Sequence, residues 1–241
     1  MTKRNITATE NLFYESREAL INLASKDFIA DAPSVFGSRI GVQSLITRYE
    51  LYKRILDVPG DIIELGVYKG NSFSWLAHLS VILEPYAINR RFIGFDTFCG
   101  FASINSNADP GDISSSDFSD TSYEIIKQGL ANIDIVRPVN KIERFRLVKG
   151  NILDTLPVFL EENKWMTCAM LILDTDLYEP TKMGIQKILP MMPKGGILVF
   201  DEYNYQKFPG ETQAIKEELK LNNIRVKKMP YESCTAYAVI E

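Results

Sequence analysis

From about residue 59 onward, short and almost wholly apolar runs alternate with longer stretches in which apolar positions recur every three or four residues. The apolar runs are Ile62-Ile63-Glu64-Leu65, Arg91-Phe92-Ile93-Gly94-Phe95, Phe145-Arg146-Leu147-Val148-Lys149, Ala169-Met170-Leu171-Ile172-Leu173 and Gly196-Ile197-Leu198-Val199-Phe200. Runs of this length predict strands, and the periodic stretches predict helices, the first from about Ser72 to Leu83. Strand and helix in alternation predict an α/β fold with a mostly parallel sheet. The fourth and fifth runs carry almost no polar residue, so both faces of the sheet should be covered. The tail departs from this order. After a helix near residues 211–221, the β-rich runs Ile224 to Met229 and Thr235 to Ile240 follow so closely that they predict an antiparallel hairpin.

Ahead of the first strand, periodicity predicts helices around residues 10–24 and 42–57, the second with Leu45, Tyr49, Tyr52 and Leu56 on its apolar face and Pro59-Gly60 at its end. Residues 1–58 are therefore expected to be a helical extension packed on the domain formed by residues 59–241. The segment from Thr97 to Asp120 is rich in Ser, Asp, Asn and Gly and lacks an apolar pattern. It predicts a long loop, and its place at the carboxyl end of the second strand favours a lid.

Composition narrows the partners. Of 241 residues, 46% are hydrophobic and 24% charged, the mixture of a soluble folded domain, and the net charge of -4 gives no basic surplus for nucleic acid or an anionic membrane. No run approaches the length of a membrane span, and no apolar signal core follows Met1-Thr2-Lys3-Arg4-Asn5, so a cytoplasmic protein is expected. Cys99, Cys168 and Cys234 are too widely spaced for a disulfide framework or a paired zinc motif. His78 is the sole histidine, and its place in the amphipathic run after Gly70 predicts a partly buried structural imidazole.

The first strand runs into Glu64-Leu65-Gly66-Val67-Tyr68-Lys69-Gly70, and the following helix is expected to be capped by Asn71 or Ser72. A turn of this kind, with glycines at Gly66 and Gly70 and free amides at a helix start, lets a flat ligand with a carboxylate lie against backbone. The closely spaced G-x-G-x-x-G of dinucleotide enzymes is missing, which weakens a nicotinamide cofactor. Asp96, at the end of the second strand, has the position from which a carboxylate accepts the ribose hydroxyls of an adenosine. Gly150-Asn151-Ile152, ending the third, is placed to meet the adenine edge.

A second constellation is acidic. The fourth strand ends in Asp174-Thr175-Asp176-Leu177-Tyr178 and the fifth in Asp201-Glu202-Tyr203, and parallel strands open these ends on one rim. Carboxylates crowded together call for a compensating cation or shared protons. With no His or Cys nearby, the oxygen donors select Mg²⁺, with Mn²⁺ or Ca²⁺ as substitutes. Helix capping by Asp174 and Asp201 is the structural alternative.

Taken in order, Pro59 to Gly70, Gly94-Phe95-Asp96-Thr97-Phe98, Val148 to Pro157, Leu173 to Thr181 and Pro193 to Tyr203 make the chain resemble the macrocin O-methyltransferase (TylF-like) family, which methylates sugar hydroxyls in antibiotic and glycan biosynthesis. The resemblance implies a Rossmann-like class I methyltransferase fold with a seven-stranded sheet. It also implies S-adenosylmethionine held by Glu64, Gly66, Tyr68, Gly70, Ser72, Asp96, Gly150, Asn151, Ile152 and Asp174. The metal ligands it implies are Asp174, Asp201 and Glu202, and the base is Asp176. Two departures stand out: Glu202 replaces the family's usual second aspartate, and Cys99-Gly100-Phe101-Ala102 replaces its Gly-Leu-Pro.

The expected reaction is in-line attack of a sugar hydroxyl on the sulfonium methyl, with Asp176 accepting the proton. Methylation of a catechol or other phenol is one alternative, and a non-catalytic cofactor-binding or hydroxylase-like relative another. Retention of the rim acids argues against pure binding. The N-terminal helices are expected either to cover the pocket or to form the face of a homodimer or higher homo-oligomer.

Overall fold

Residues 8–241 are described by a computed structural model. Met1 to Asn5, read above for a signal sequence, lie outside them. In chain order the elements are α1 (Ala8–Leu23), α2 (Lys26–Asp31), α3 (Arg39–Lys53), β1 (Asp61–Leu65), α4 (Asn71–Leu83), β2 (Phe92–Asp96), α5 (Tyr123–Ile135), β3 (Phe145–Lys149), α6 (Ile152–Glu162), β4 (Cys168–Leu173), α7 (Tyr178–Ile188), β5 (Ile197–Phe200), α8 (Pro209–Glu218), β6 (Val226–Lys228) and β7 (Ala236–Val239). Two compact units are delimited, residues up to Ser44 and Leu45–Glu241.

In the first unit the Ser25 side chain accepts a hydrogen bond from the Phe28 amide and caps α2. Phe28 meets Phe36 edge-on at 6.1 Å between ring centroids. Leu12 and Leu23 on α1 are left 66% and 85% exposed.

The second unit is built on one seven-stranded sheet in the order β3-β2-β1-β4-β5-β7-β6. β1 to β5 are parallel, and β7 enters antiparallel between β5 and β6. The hairpin expected from the tail is therefore present, with its second strand inside the sheet. β4 and β5 are buried at every position. Side chains alternate between the faces of a strand, so each strand feeds two cores. Ile62, Met170, Ile172, Ile197 and Val199 pack with Phe73 and Leu76 of α4 and Ile126 and Leu130 of α5. Ile63, Leu65, Leu171, Leu173 and Phe200 pack with Leu156 of α6, Ile185 of α7 and Ile215 of α8. Each such side chain, buried fully, contributes roughly 1.5–3 kcal/mol, so the strand ends that carry polar residues rest on a rigid base.

The helix expected over residues 42–57 turns its apolar side differently from the expectation. Thr47, Arg48, Leu51 and Tyr52 are its buried residues, whereas Tyr49 is 38% exposed and Leu56, beyond the helix, 41%. The face is rotated by about one residue because Arg48, a residue that helical wheels place outside, has acidic partners at the strand ends. His78 stands exposed on α4 beside Trp75, not partly buried as expected, although partial desolvation lowers its pKa. No helix among the described residues is long and apolar enough to cross a membrane.

Candidate active site

The ladders of the parallel sheet continue past the strand ends and align the ends of β1 to β5. Gly66 N donates to Phe95 O at 2.9 Å, Gly150 N to Asp96 O at 2.9 Å, Asp174 N to Leu65 O at 2.9 Å and Asp201 N to Leu173 O at 3.1 Å. The predicted residues of all five ends are thereby brought onto one rim.

At Gly66, φ is +94° and a Cβ would lie 1.8 Å from the carbonyl oxygen of Asp174, so only glycine lets the turn after β1 pass the end of β4. Gly70, at φ +77°, is the N-cap of α4 and lies against Ile126. It takes the capping position expected of Asn71 or Ser72, and no side chain caps that helix. Asp96 explains how the turn keeps its shape: Oδ2 accepts from the amides of Val67 at 2.8 Å and Tyr68 at 2.7 Å, and Oδ1 accepts from Phe98 N at 2.6 Å. A carboxylate has about four acceptor sites. Asp96 thus spends most of its capacity on knitting the turn, which leaves less for the ribose hydroxyls expected of it.

Asn151 is engaged as well. Its side-chain oxygen caps α6 at Leu153 N, 3.1 Å, and its amide donates to Ser103 Oγ at 3.0 Å. Ile152 is the first residue of α6, with its side chain in the core, so only its backbone is available to a ligand.

Glu64 is fully buried in β1, and neither of its carboxylate oxygens has a hydrogen-bond partner among the described residues. Burial pushes its pKa up to about 7, against the lowering effect of Arg48. Beside it stand the acids of β4 and β5. Asp174 has its pKa raised well above the ordinary value, first by burial and then by Asp201 and Asp176. Asp176 is 8% exposed and held at φ +61°, a left-handed conformation that aspartate tolerates better than most residues. Glu202 is 9% exposed and its amide donates to Glu211 Oε1 at 3.1 Å.

Several residues at this site were not singled out in the sequence. Arg48, 2% exposed, places Nε 2.7 Å from Ser72 Oγ and Nη2 3.2 Å from Asp201 Oδ1 and 3.9 Å from Asp174 Oδ2. Its burial works to lower its pKa, but Asp201, Glu64 and Asp174 outweigh that and raise it. A charged residue at helical spacing from Leu51 and Tyr52 was the available signal. Glu211, fully buried with Oε2 unpartnered, has its pKa raised well above normal by burial, then by Asp201 and Asp176. An acid in the first turn of a helix reads as a dipole partner, which hid it.

The Thr97 to Asp120 segment has no helix or strand and, besides the hydrogen bonds of Ser103 with Asn151 and of Asn105 with Glu179, is fastened at two carboxylates. Asp109 Oδ1 accepts from Tyr178 N at the start of α7, 2.8 Å, and Oδ2 accepts from Asn105 N at 2.7 Å. Asp120 accepts from Tyr68 Oη and from Lys69 Nζ, both at 2.6 Å. These bonds lower the Asp120 pKa and raise that of Lys69. Between the two fastenings Phe118 packs against Phe101 at 5.0 Å, Tyr68 at 5.3 Å and Phe208 at 6.3 Å. The loop therefore spans from the turn after β1 to the loops after β4 and β5.

The acids offer oxygen donors in excess of the nearby positive charge, which is the chemistry a hard dication requires. Among the described residues, however, no three His, Cys, Asp or Glu side chains are gathered closely enough to hold an ion as they stand. The guanidinium of Arg48 supplies positive charge at Asp174 and Asp201 instead.

The profile of the Macrocin-O-methyltransferase (TylF) family matches residues 5–229. A demethyldecarbamoylnovobiocin O-methyltransferase of Streptomyces niveus is 25% identical over 181 residues, covering 72% of this chain and 64% of the relative. An 8-demethyl-8-(2,3-dimethoxy-alpha-L-rhamnosyl)-tetracenomycin-C 4'-O-methyltransferase of Streptomyces olivaceus is 26% identical over 177 residues, covering 72% and 65%. The matched part of the chain thus spans just under two thirds of these relatives' length. Among solved structures, the calicheamicin methyltransferase CalS11 superposes with a TM-score of 0.92 at 30% identity, over 99% of this chain and 95% of that one. The sheet order and the neighbour together establish a class I methyltransferase fold. The chain belongs to the macrocin O-methyltransferase (TylF) family.

Proposed function

We propose that this chain is an S-adenosylmethionine-dependent, Mg²⁺-assisted O-methyltransferase of a sugar hydroxyl, in natural-product or surface-glycan biosynthesis. One observation carries the reading: the acids Asp174, Asp176, Asp201 and Glu202 adjoin the Glu64 to Ser72 turn on one rim, although binding a cofactor alone does not require them. CalS11 is described as a TDP-rhamnose 3'-O-methyltransferase, and the curated relatives act on sugar-bearing molecules by name. These names support a deoxysugar acceptor, nucleotide-linked or glycosidic.

When bound, S-adenosylmethionine supplies an electrophilic methyl on a sulfonium. The residues proposed to receive it are Glu64, Gly66, Tyr68, Gly70, Ser72, Asp96, Gly150, Asn151, Ile152 and Asp174. Asp174, Asp201 and Glu202 are the proposed holders of Mg²⁺, which would supply stabilisation of negative charge developing on the acceptor oxygen. Asp176, held in a left-handed conformation on the rim, accepts the proton of the attacking hydroxyl. The strap from Asp109 to Asp120 keeps water from this rim, and charge cancellation between an alkoxide and a sulfonium favours a dry pocket.

The test is methyl transfer to TDP-deoxysugars and glycosides against a panel of catechols. Asp176→Asn is expected to lose about 10²–10⁴-fold in kcat. Full activity of that variant on its acceptor would remove Asp176 as base, and activity unchanged by thorough chelation would remove the metal. Turnover of catechols with none of sugars would favour the phenolic alternative.

A further inference from the structure

We infer that Arg48 is the built-in counter-cation of the acidic rim: a positioning residue that holds Asp201 and Asp174 from the buried side and shares them with the divalent ion. The second half of the inference rests on the Mg²⁺ reading above, and the first does not.

The three contacts of Arg48 join residues from three separate elements of the chain. Nε reaches Ser72 on α4, and Nη2 reaches Asp201 after β5 and Asp174 after β4. Only a planar fork with separated donors makes contacts in these directions at once, and a lysine ammonium has no such geometry. Burial is unequal across the cluster. The Arg48 side chain is 2% exposed, while those of Asp174 and Asp201 are 29% and 24% exposed. The guanidinium therefore lies beneath the carboxylates, and their outer sides remain open to the rim.

Charge gives the arrangement its purpose. Glu64, Asp174, Asp176, Asp201, Glu202 and Glu211 crowd this end of the sheet, and Arg48 is the positive group that acts on both Glu64 and Asp174. Carboxylates buried without a cation are strongly destabilising. A rim that relied on Mg²⁺ alone would fold poorly whenever the ion was absent. A fixed arginine removes that dependence, and it also repels an arriving dication. Even screened as in bulk water, charges of +1 and +2 roughly 6 Å apart lower ion affinity about tenfold, and a guanidinium 2% exposed lowers it by at least that.

The experiment compares wild type, Arg48→Met and Arg48→Lys by thermal melting in EDTA and in Mg²⁺, and by Mg²⁺ titration calorimetry, all at pH 8. Arg48→Met is expected to melt several degrees lower in EDTA, to recover most of that loss in Mg²⁺, and to bind Mg²⁺ at least about tenfold more tightly than wild type. Melting in EDTA unchanged from wild type overturns the counter-cation. A loss in EDTA with Mg²⁺ affinity equal to or weaker than wild type overturns the sharing with an ion, since a purely structural arginine would give that result. Should Arg48→Met not fold, Arg48→Lys decides: it keeps the charge but loses the fork, so it is expected to show a smaller loss in EDTA that Mg²⁺ reverses, and wild-type behaviour in both conditions overturns the inference. If wild type itself binds no Mg²⁺, the metal reading and the sharing fail together, while the EDTA melts still decide the counter-cation.

Discussion

Replacing Glu64 by glutamine should make the protein more stable at high pH and less able to bind its cofactor. Glu64 is fully buried, its carboxylate oxygens lack close hydrogen-bond partners among the described residues, and burial raises its pKa from 4.5 to about 7 against the lowering effects of Arg48 and Ser72. Between those two values the folded state keeps a proton that the unfolded chain has lost. The native state thus binds more protons, and stability falls as pH rises through this window. At about 1.4 kcal/mol per pH unit, the ionised side chain costs roughly 3 kcal/mol above pH 7. The neighbouring Asp174 and Glu211, also raised, add slopes of the same sign, so the difference between wild type and Glu64→Gln isolates this residue. Urea unfolding of both proteins at pH 5, 6, 7 and 8 in EDTA gives that difference directly. The variant is expected to gain on wild type by up to ~3 kcal/mol from pH 5 to pH 8. Parallel pH profiles would refute the reasoning, because they would mean that Glu64 is as well solvated as it is in the unfolded chain. In the same samples, weaker S-adenosylhomocysteine binding by the variant would tie the destabilising carboxylate to function.

Gly66→Ala is expected to lose roughly 3 kcal/mol in urea melts, because its Cβ would strike the Asp174 carbonyl at a positive φ; an unchanged midpoint would show that the two strand ends are not in contact. Asp109→Ala strips acceptors from the Tyr178 and Asn105 amides and should cost about 2–4 kcal/mol, read from the same melts, and a loss below ~0.5 kcal/mol would mean water replaces the carboxylate. Asp120→Ala touches exposed partners, so stability should move by less than ~1 kcal/mol, while KM for the acceptor should rise. Steady-state kinetics with wild-type KM would discard the fastening at Asp120 as part of a lid.

The strands were legible because their signal is local. β1 to β5 fall within a residue or so of the apolar runs; β4 and β5, buried at every position, demand an unbroken apolar stretch, and β3, only partly buried, tolerates Arg146 and Lys149. The loop from Thr97 to Asp120 was legible from its lack of pattern. What escaped was the polar wiring, which depends on residues far apart in sequence. Arg48 meets Asp201 across 153 positions and Ser72 across 24, and no periodicity reports such a pairing. It also turned α3 away from the face that Tyr49 and Leu56 predicted. Asp96 and Asn151 were found at their strand ends, but their bonds to the turn and to Ser103 follow from backbone geometry that residue types do not encode.

The insertion of β7 between β5 and β6 has a bearing on how the protein is made. Synthesis delivers β6 before β7, yet β6 bonds only to β7. Until Ala236–Val239 leave the ribosome, Ile197–Phe200 have an open edge of apolar residues that are buried in the finished sheet. Open edges of this kind pair with those of other chains. A nascent or prematurely terminated chain stopping short of Ala236 would therefore be the most aggregation-prone form of this protein, and the last strand acts as the closure that makes the rest of the sheet safe to release.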